Sequence, residues 1–219
     1  MKGFSSSYET IPEVLPIVPT MDVVVFPNMI VPLLVLDERI IKGINKALQQ
    51  ESKLVLLLAS KKQSHSHPGA IGTKDLYKVG TVASIMRLIK LPEGGVKILV
   101  QGLFKAQIDS ISAEEDILSA EVYKLNLEAG ENPTELAAQI KNIKHLAEKM
   151  SHSGQSLSPD FNLILSKMQD PEKIADFILS HLTLSVDQAQ ELLETSTYTD
   201  FLEGLYKQLS KELEVAEVQ

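Results

Sequence analysis

Leu15-Pro-Ile-Val-Pro-Thr-Met-Asp-Val-Val-Val-Phe-Pro-Asn-Met-Ile-Val-Pro-Leu-Leu-Val35 decides how this chain is read, because it joins an apolar, β-rich run to prolines at short intervals. Proline has no backbone N–H, so Pro16, Pro19, Pro27 and Pro32 are expected at strand ends, bulges or edges. Between them, Val23-Val24-Val25-Phe26 is expected to form a short buried strand. The stretch reads as scaffold rather than as chemistry.

Downstream, Glu38 to Gln50 places Ile40, Ile41, Ile44, Ala47 and Leu48 on one helical face, with Asp37 positioned as N-cap or first-turn acid. Leu54 to Ala59 has the length and composition of a buried strand, and the polar Lys61 to Asp75 that of a mobile loop. Val79 to Lys90 and Val96 to Ile108 flank Leu91-Pro-Glu-Gly-Gly95, whose glycines permit positive φ, and so predict a long β-hairpin. Leu118 to Leu125 follows the acidic turn Glu114-Glu115-Asp116 as a further strand. Residues 15–127 thus read as a β-rich domain of about six strands and one helix. A closed or half-closed barrel would protect its edges.

After Gly130 the apolar period changes from strand-like to helical. Helices are expected at Glu135 to Lys149, Phe161 to Met168, Pro171 to Leu182, Val186 to Thr195 and Asp200 to Glu217. Asp170 before Pro171 supplies an N-cap and an N1 proline, and Ser185-Val-Asp-Gln188 matches a capping box. Ile174, Phe177, Ile178 and Leu182 share one apolar face, as do Phe201, Leu205, Leu209 and Leu213. The expected class is therefore α+β: a β-rich barrel domain over 15–127 and an all-helical bundle over 128–219. Residues 1–14 read as a disordered leader, and Ser151-His-Ser-Gly-Gln-Ser156 as a flexible joint. The last helix keeps its amphipathic spacing to Val218-Gln219 without a stop signal, the expectation for a truncated helix.

Composition narrows the function classes. The 219 residues contain no cysteine, which excludes disulfide frameworks, thiolate metal sites and a cysteine nucleophile, and fits a reducing, cytoplasmic setting. The longest aliphatic run, Leu54 to Ala59, falls far short of the roughly 20 residues that cross a bilayer. A net charge of −8 opposes a large phosphate-binding surface.

The motifs that suggest chemistry fail on context. Gly69-Ala-Ile-Gly-Thr-Lys74 lacks the glycine spacing and the strand-to-helix setting of a phosphate loop. His65 and His67 have no third ligand fixed by spacing, so no metal site is assigned. Glu114-Glu115-Asp116 reads as a solvated turn, and no serine and lysine are placed together with an oxyanion hole. No catalytic residue is assigned. Lys141, Lys144 and Lys149 beside Glu135 and Glu148 read as a solvated helix face.

In order and spacing, Leu15 to Leu33, Asp75 to Gly94 and Lys97-Ile-Leu-Val-Gln-Gly102 resemble the amino-terminal region of Lon, the ATP-dependent serine protease. Asp170-Pro-Glu-Lys-Ile-Ala-Asp-Phe-Ile178 and Leu192-Leu-Glu-Thr-Ser196 resemble the helical segment that follows in that family. The resemblance implies a PUA-like β domain joined to a helical bundle that recognises unfolded, damaged and selected regulatory proteins. It also implies that ATP, Mg, the hexamer-forming motor and the Ser-Lys protease belong to parts of a parent chain absent from these residues. The region itself is then a non-enzymatic recognition and assembly element without a cofactor, a monomer or weak dimer on its own. A stand-alone PUA-like adaptor and an RNA-binding module are the alternatives. Recognition needs adaptable apolar surface, for which methionine is suited. Met21, Met29, Met86, Leu88, Leu91 and Pro92 are the candidate substrate contacts, at strand ends and the hairpin tip where a peptide could also add as a strand. Phe26 and Ile30 are expected in the core.

Overall fold

Strand-forming β-branched and aliphatic residues dominate the first half, and in the computed structural model they build six strands. The structure describes residues 14–61, 72–130, 132–153 and 159–218. The expected leader lies outside these residues except for Val14, as do His65, His67 and Gly154-Gln-Ser156 of the expected joint. The chain divides into two compact units, Met1–Leu125 and Asn126–Gln219.

In the first unit the strands are β1 (Val14–Thr20), β2 (Ile30–Val35), β3 (Leu54–Ala59), β4 (Val79–Lys90), β5 (Val96–Ser112) and β6 (Ser119–Lys124). They hydrogen-bond in the order β2-β5-β4-β3-β1-β6, and β6 also pairs with β5. The second pairing closes β5-β4-β3-β1-β6 into a ring, so a barrel forms and β2 flanks its first half. Strand β5 carries the closure: Val96 to Gln101 pairs with β2 on one side, and Ala106 to Ser112 pairs with β6 further along. Every residue of β3 is buried, and helix α1 (Glu38–Leu48) packs on β1 and β3. Pro27 lies in the turn before β2, whereas Pro16, Pro19 and Pro32 sit inside strands, but where one ladder is missing. Pro16 closes the β1–β6 pairing, Pro19 lies beyond it, and Pro32 belongs to the flanking strand β2.

Val23–Phe26 corrects an expectation. Its side chains are buried from Val24 onward, yet it forms no strand. The Thr20 hydroxyl donates to the Val23 carbonyl at 2.8 Å, and the buried Thr81 hydroxyl donates to the Val25 carbonyl at 2.5 Å. Side chains thus satisfy carbonyls that a ladder would otherwise hold. Asp22 and Asn28, both at positive φ, bracket the segment. The Asn28 amide donates to the Gly102 carbonyl at 2.9 Å, and the Gly102 amide donates to the Met29 carbonyl at 2.8 Å. A Cβ at Gly102 would collide with the Phe26 carbonyl, so this crossing requires glycine. Hydrophobicity reported burial here, while pairing was decided by Thr20, Thr81 and Gly102.

The second unit holds α2 (Pro133–His152), α3 (Phe161–Lys167), α4 (Pro171–Leu179), α5 (Val186–Leu193) and α6 (Tyr198–Val218). Their starts follow local chemistry. Asn132 caps α2, Asp170 caps α4 ahead of Pro171, and Ser185 with Gln188 forms the capping box of α5. Phe201, Leu202, Leu205 and Leu209 are buried along α6, whereas Leu213 is half-exposed. Lys144 departs from a solvated face: its ammonium donates to the Met168 carbonyl at the end of α3, at 2.6 Å.

Two predictions follow from these contacts. Gly102→Ala lowers the unfolding free energy by about 1–3 kcal/mol, the usual cost of overpacking, read from the urea midpoint of the chain. Asp37 caps α1 by accepting from the Arg39 amide at 2.9 Å and pairs with the Arg39 guanidinium at 3.0 Å, which holds its carboxyl below the usual range. A carboxyl depressed in the folded state stabilises above its unfolded pKa and ceases to as pH falls through the folded value. Asp37→Ala is therefore destabilising by about 1 kcal/mol at pH 7. Urea titrations of parent and variant converge once the pH falls below the usual carboxylate range.

Candidate substrate-binding face

The outer face of the three strands β2, β5 and β4 is built by register. Val96, Ile98 and Val100 point into the core, so Lys97, Leu99 and Gln101 point outward. Pairing then extends each into a row. Leu34 and Ile89 flank Lys97, Pro32 and Arg87 flank Leu99, and Ile30 and Ser84 flank Gln101. Cross-strand neighbours lie about 5 Å apart, so the rows form one contiguous surface. Leu34 is 62% exposed, Ile30 53% and Ile89 43%. Leu36 continues the surface beyond β2, and a Cβ on Gly95 of the hairpin turn would strike its side chain. Exposed apolar side chains gathered on one face, here Ile30, Leu34, Leu36 and Ile89, make it the candidate interaction surface.

A bulge sets which residues of β4 join this face. Ile85 pairs with Val100 and Arg87 with Leu99, leaving Met86 as the extra residue. Without it, Met86 and Leu88 would point out and Arg87 and Ile89 in, because a one-residue slip exchanges the two faces. With it, Leu88 packs against the core, Met86 stands 51% exposed, and Arg87 and Ile89 face outward.

The expected contacts are therefore not one cluster. Met86 adjoins the face. Pro92 is exposed in the hairpin turn and Leu91 half-buried there, its amide donating to the Gly95 carbonyl at 3.1 Å. Met21 is half-buried after β1. Met29 packs on the core, and its Sδ accepts from the Phe26 amide at 3.4 Å. Phe26 is buried as expected, but Ile30 is on the open face, not in the core. Leu34, Leu36, Ile89 and Leu99 were missed. Only the proline in β2 hinted at them, since it marks a strand with one open side.

Among the described residues, no group of three or more His, Asp or Glu side chains is placed to hold a metal. Gly72 precedes a short 3-10 turn, Thr73–Asp75, while Gly69 to Ile71 of that segment lie outside the described residues. A cavity of about 10 Å³ in the helical unit, beside Phe161 and His181, has room for no more than about one water. No described helix is long and apolar enough to cross a membrane.

Comparison with known proteins decides the family. Residues 14–211 match the model of the ATP-dependent protease La (LON) substrate-binding domain. The chain belongs to the Lon substrate-binding domain family. It is 34% identical over 217 residues to the Lon protease of Desulfovibrio desulfuricans, covering 99% of this chain and 24% of that protein. It is 36% identical over 218 residues to Lon protease 2 of Bdellovibrio bacteriovorus, covering 99% and 27%. The chain thus spans about a quarter of the length of these relatives. The N-terminal domain of Mycobacterium avium complex Lon protease shares the fold, with a TM-score of 0.71 at 24% identity over 90% of this chain and 98% of that one. The Lon N-terminal domain protein from Xanthomonas campestris does so at 0.61 and 16% identity, over 88% and 96%.

The bulge is testable by stability. Leu88→Ala costs about 1–3 kcal/mol, whereas Ile89→Ala stays within about 0.5 kcal/mol of the parent, in urea unfolding followed by circular dichroism.

Proposed function

We propose that this Lon substrate-binding region captures unfolded or damaged polypeptide on the outer face of β2, β5 and β4, and does so without catalysing a reaction itself. The observation that supports it is the exposed run of Ile30, Pro32 and Leu34 beside Leu99 and Ile89, in a domain whose family is defined by substrate binding. Side chains in an unfolded chain are accessible where those of a native protein are buried, so an apolar face selects for loss of structure. A face of separate exposed side chains suits weak, sequence-tolerant capture ahead of a committed step.

In this reading, that step belongs to a longer polypeptide. The relatives are named as proteases and run about four times the length of this chain, which supports a delivery role in an ATP-dependent serine protease. ATP and Mg would act in the motor of the assembly, a homohexamer in the cytoplasm, and peptide cleavage in its protease module. The 219 residues would hold the client and contribute to assembly.

The test is direct. Leu34→Asp and Ile89→Asp each place a carboxylate on the face and weaken binding of fluorescently labelled, reduced and alkylated polypeptide by about tenfold, the effect of losing one well-buried apolar contact. Their urea midpoints stay at the parent value. Unchanged affinity in both variants would overturn the assignment of this face.

A further inference from the structure

The capture face is not uniformly apolar. Arg87 stands beside Leu99 in one row, and Lys97 stands between Leu34 and Ile89 in the next. Both side chains are exposed, and among the described residues neither makes an ion pair or side-chain hydrogen bond. The three rows contain no carboxylate. This is unusual within the chain, which has 29 acidic against 21 basic residues. The acidic excess lies elsewhere, while two cations stand free among the apolar side chains meant to meet a client.

From this we infer that the face prefers a particular class of client: extended segments in which apolar side chains are interspersed with Asp or Glu, two or so residues apart. The inference rests on the proposed capture role of this face. Its chemistry follows from the grid. The aliphatic stems of Arg87 and Lys97 extend the apolar surface while their charged ends remain in water. A carboxylate arriving beside an apolar anchor on Leu99, Leu34 or Ile89 meets one of these ends. Arg87 can engage it through two N–H groups, and Lys97 as a point charge. A client lysine or arginine at the same place meets like charge. Distant acidic residues do not cancel this preference, because at physiological salt charges are screened beyond about 8 Å. Neighbouring rows are within that range.

The measurement uses the 219-residue chain and three synthetic peptides with one apolar core of alternating Leu and Phe, whose intervening positions are all Glu, all Gln or all Lys. Affinities come from fluorescence anisotropy. The Glu peptide is expected to bind about fivefold more tightly than the Gln peptide and the Lys peptide more weakly, the size set by two exposed ion pairs. The spread should collapse when salt is raised to about 1 M. In the double variant Arg87→Glu, Lys97→Glu the order should invert, with Lys binding best. Equal affinities of the three peptides would overturn the charge preference while leaving apolar capture standing. If none of the three binds, the capture role fails and the preference with it. A single-stranded oligonucleotide that displaces the Glu peptide, and itself binds more tightly, would overturn a peptide client in favour of a general anion site. No displacement supports the peptide.

Discussion

One strand with three partners governs the β unit. Across Val96–Ser112, β5 must satisfy β4 along one edge and divide its other edge between β2 and β6. No straight ribbon can do this, because the two partners on the divided edge diverge. The irregularities fall where the strand has to change direction, between Val82 and Ala83, Ile85 and Arg87, and Ile108 and Ser110. Each disrupts the ladder locally and increases twist. They accompany the closing of the barrel, and Gly102 gives the room that the Val23–Phe26 crossing needs.

The register of the closing sheet also decides which side chains form the proposed capture face. Met86 is the residue left over when β4 accommodates β5, and its presence changes the phase of everything after it. Arg87 and Ile89 turn to solvent, and Leu88 turns to the core. Architecture and the make-up of the proposed face therefore share one residue. Shape, apolarity and charge on the face all follow from a register set by the closing of the sheet.

Much of the architecture is legible in the chain because its signals are local. Asp37, Asp170 and Ser185 mark helix starts through bonds made within three residues, and Gly94 and Gly95 supply the positive φ that the hairpin turn uses. What was not legible depends on partners far along the chain. Lys144 finds a carbonyl 24 residues away, and Val25 finds a hydroxyl 56 residues away. The candidate site suffered most from this. Ile30 to Val35 is apolar on both faces, and in Ile85 to Ile89 only Arg87 interrupts the apolar run, so alternation offers little clue to which side is open. A one-residue bulge in an apolar strand has no signature of its own, and it moved Leu88 and Ile89 to opposite sides.

Pro32 has a consequence for how the unit behaves among its own copies. The proposed capture face sits beside the exposed border of β2, where bare backbone amides would template strand after strand. To keep its ladder with β5, Pro32 must turn its nitrogen outward, so the middle of that border offers a ring in place of a hydrogen. Contacts through side chains stay open and reversible, while backbone zippering is interrupted halfway. The unit can thus be adhesive toward its clients without becoming a seed for fibres of itself.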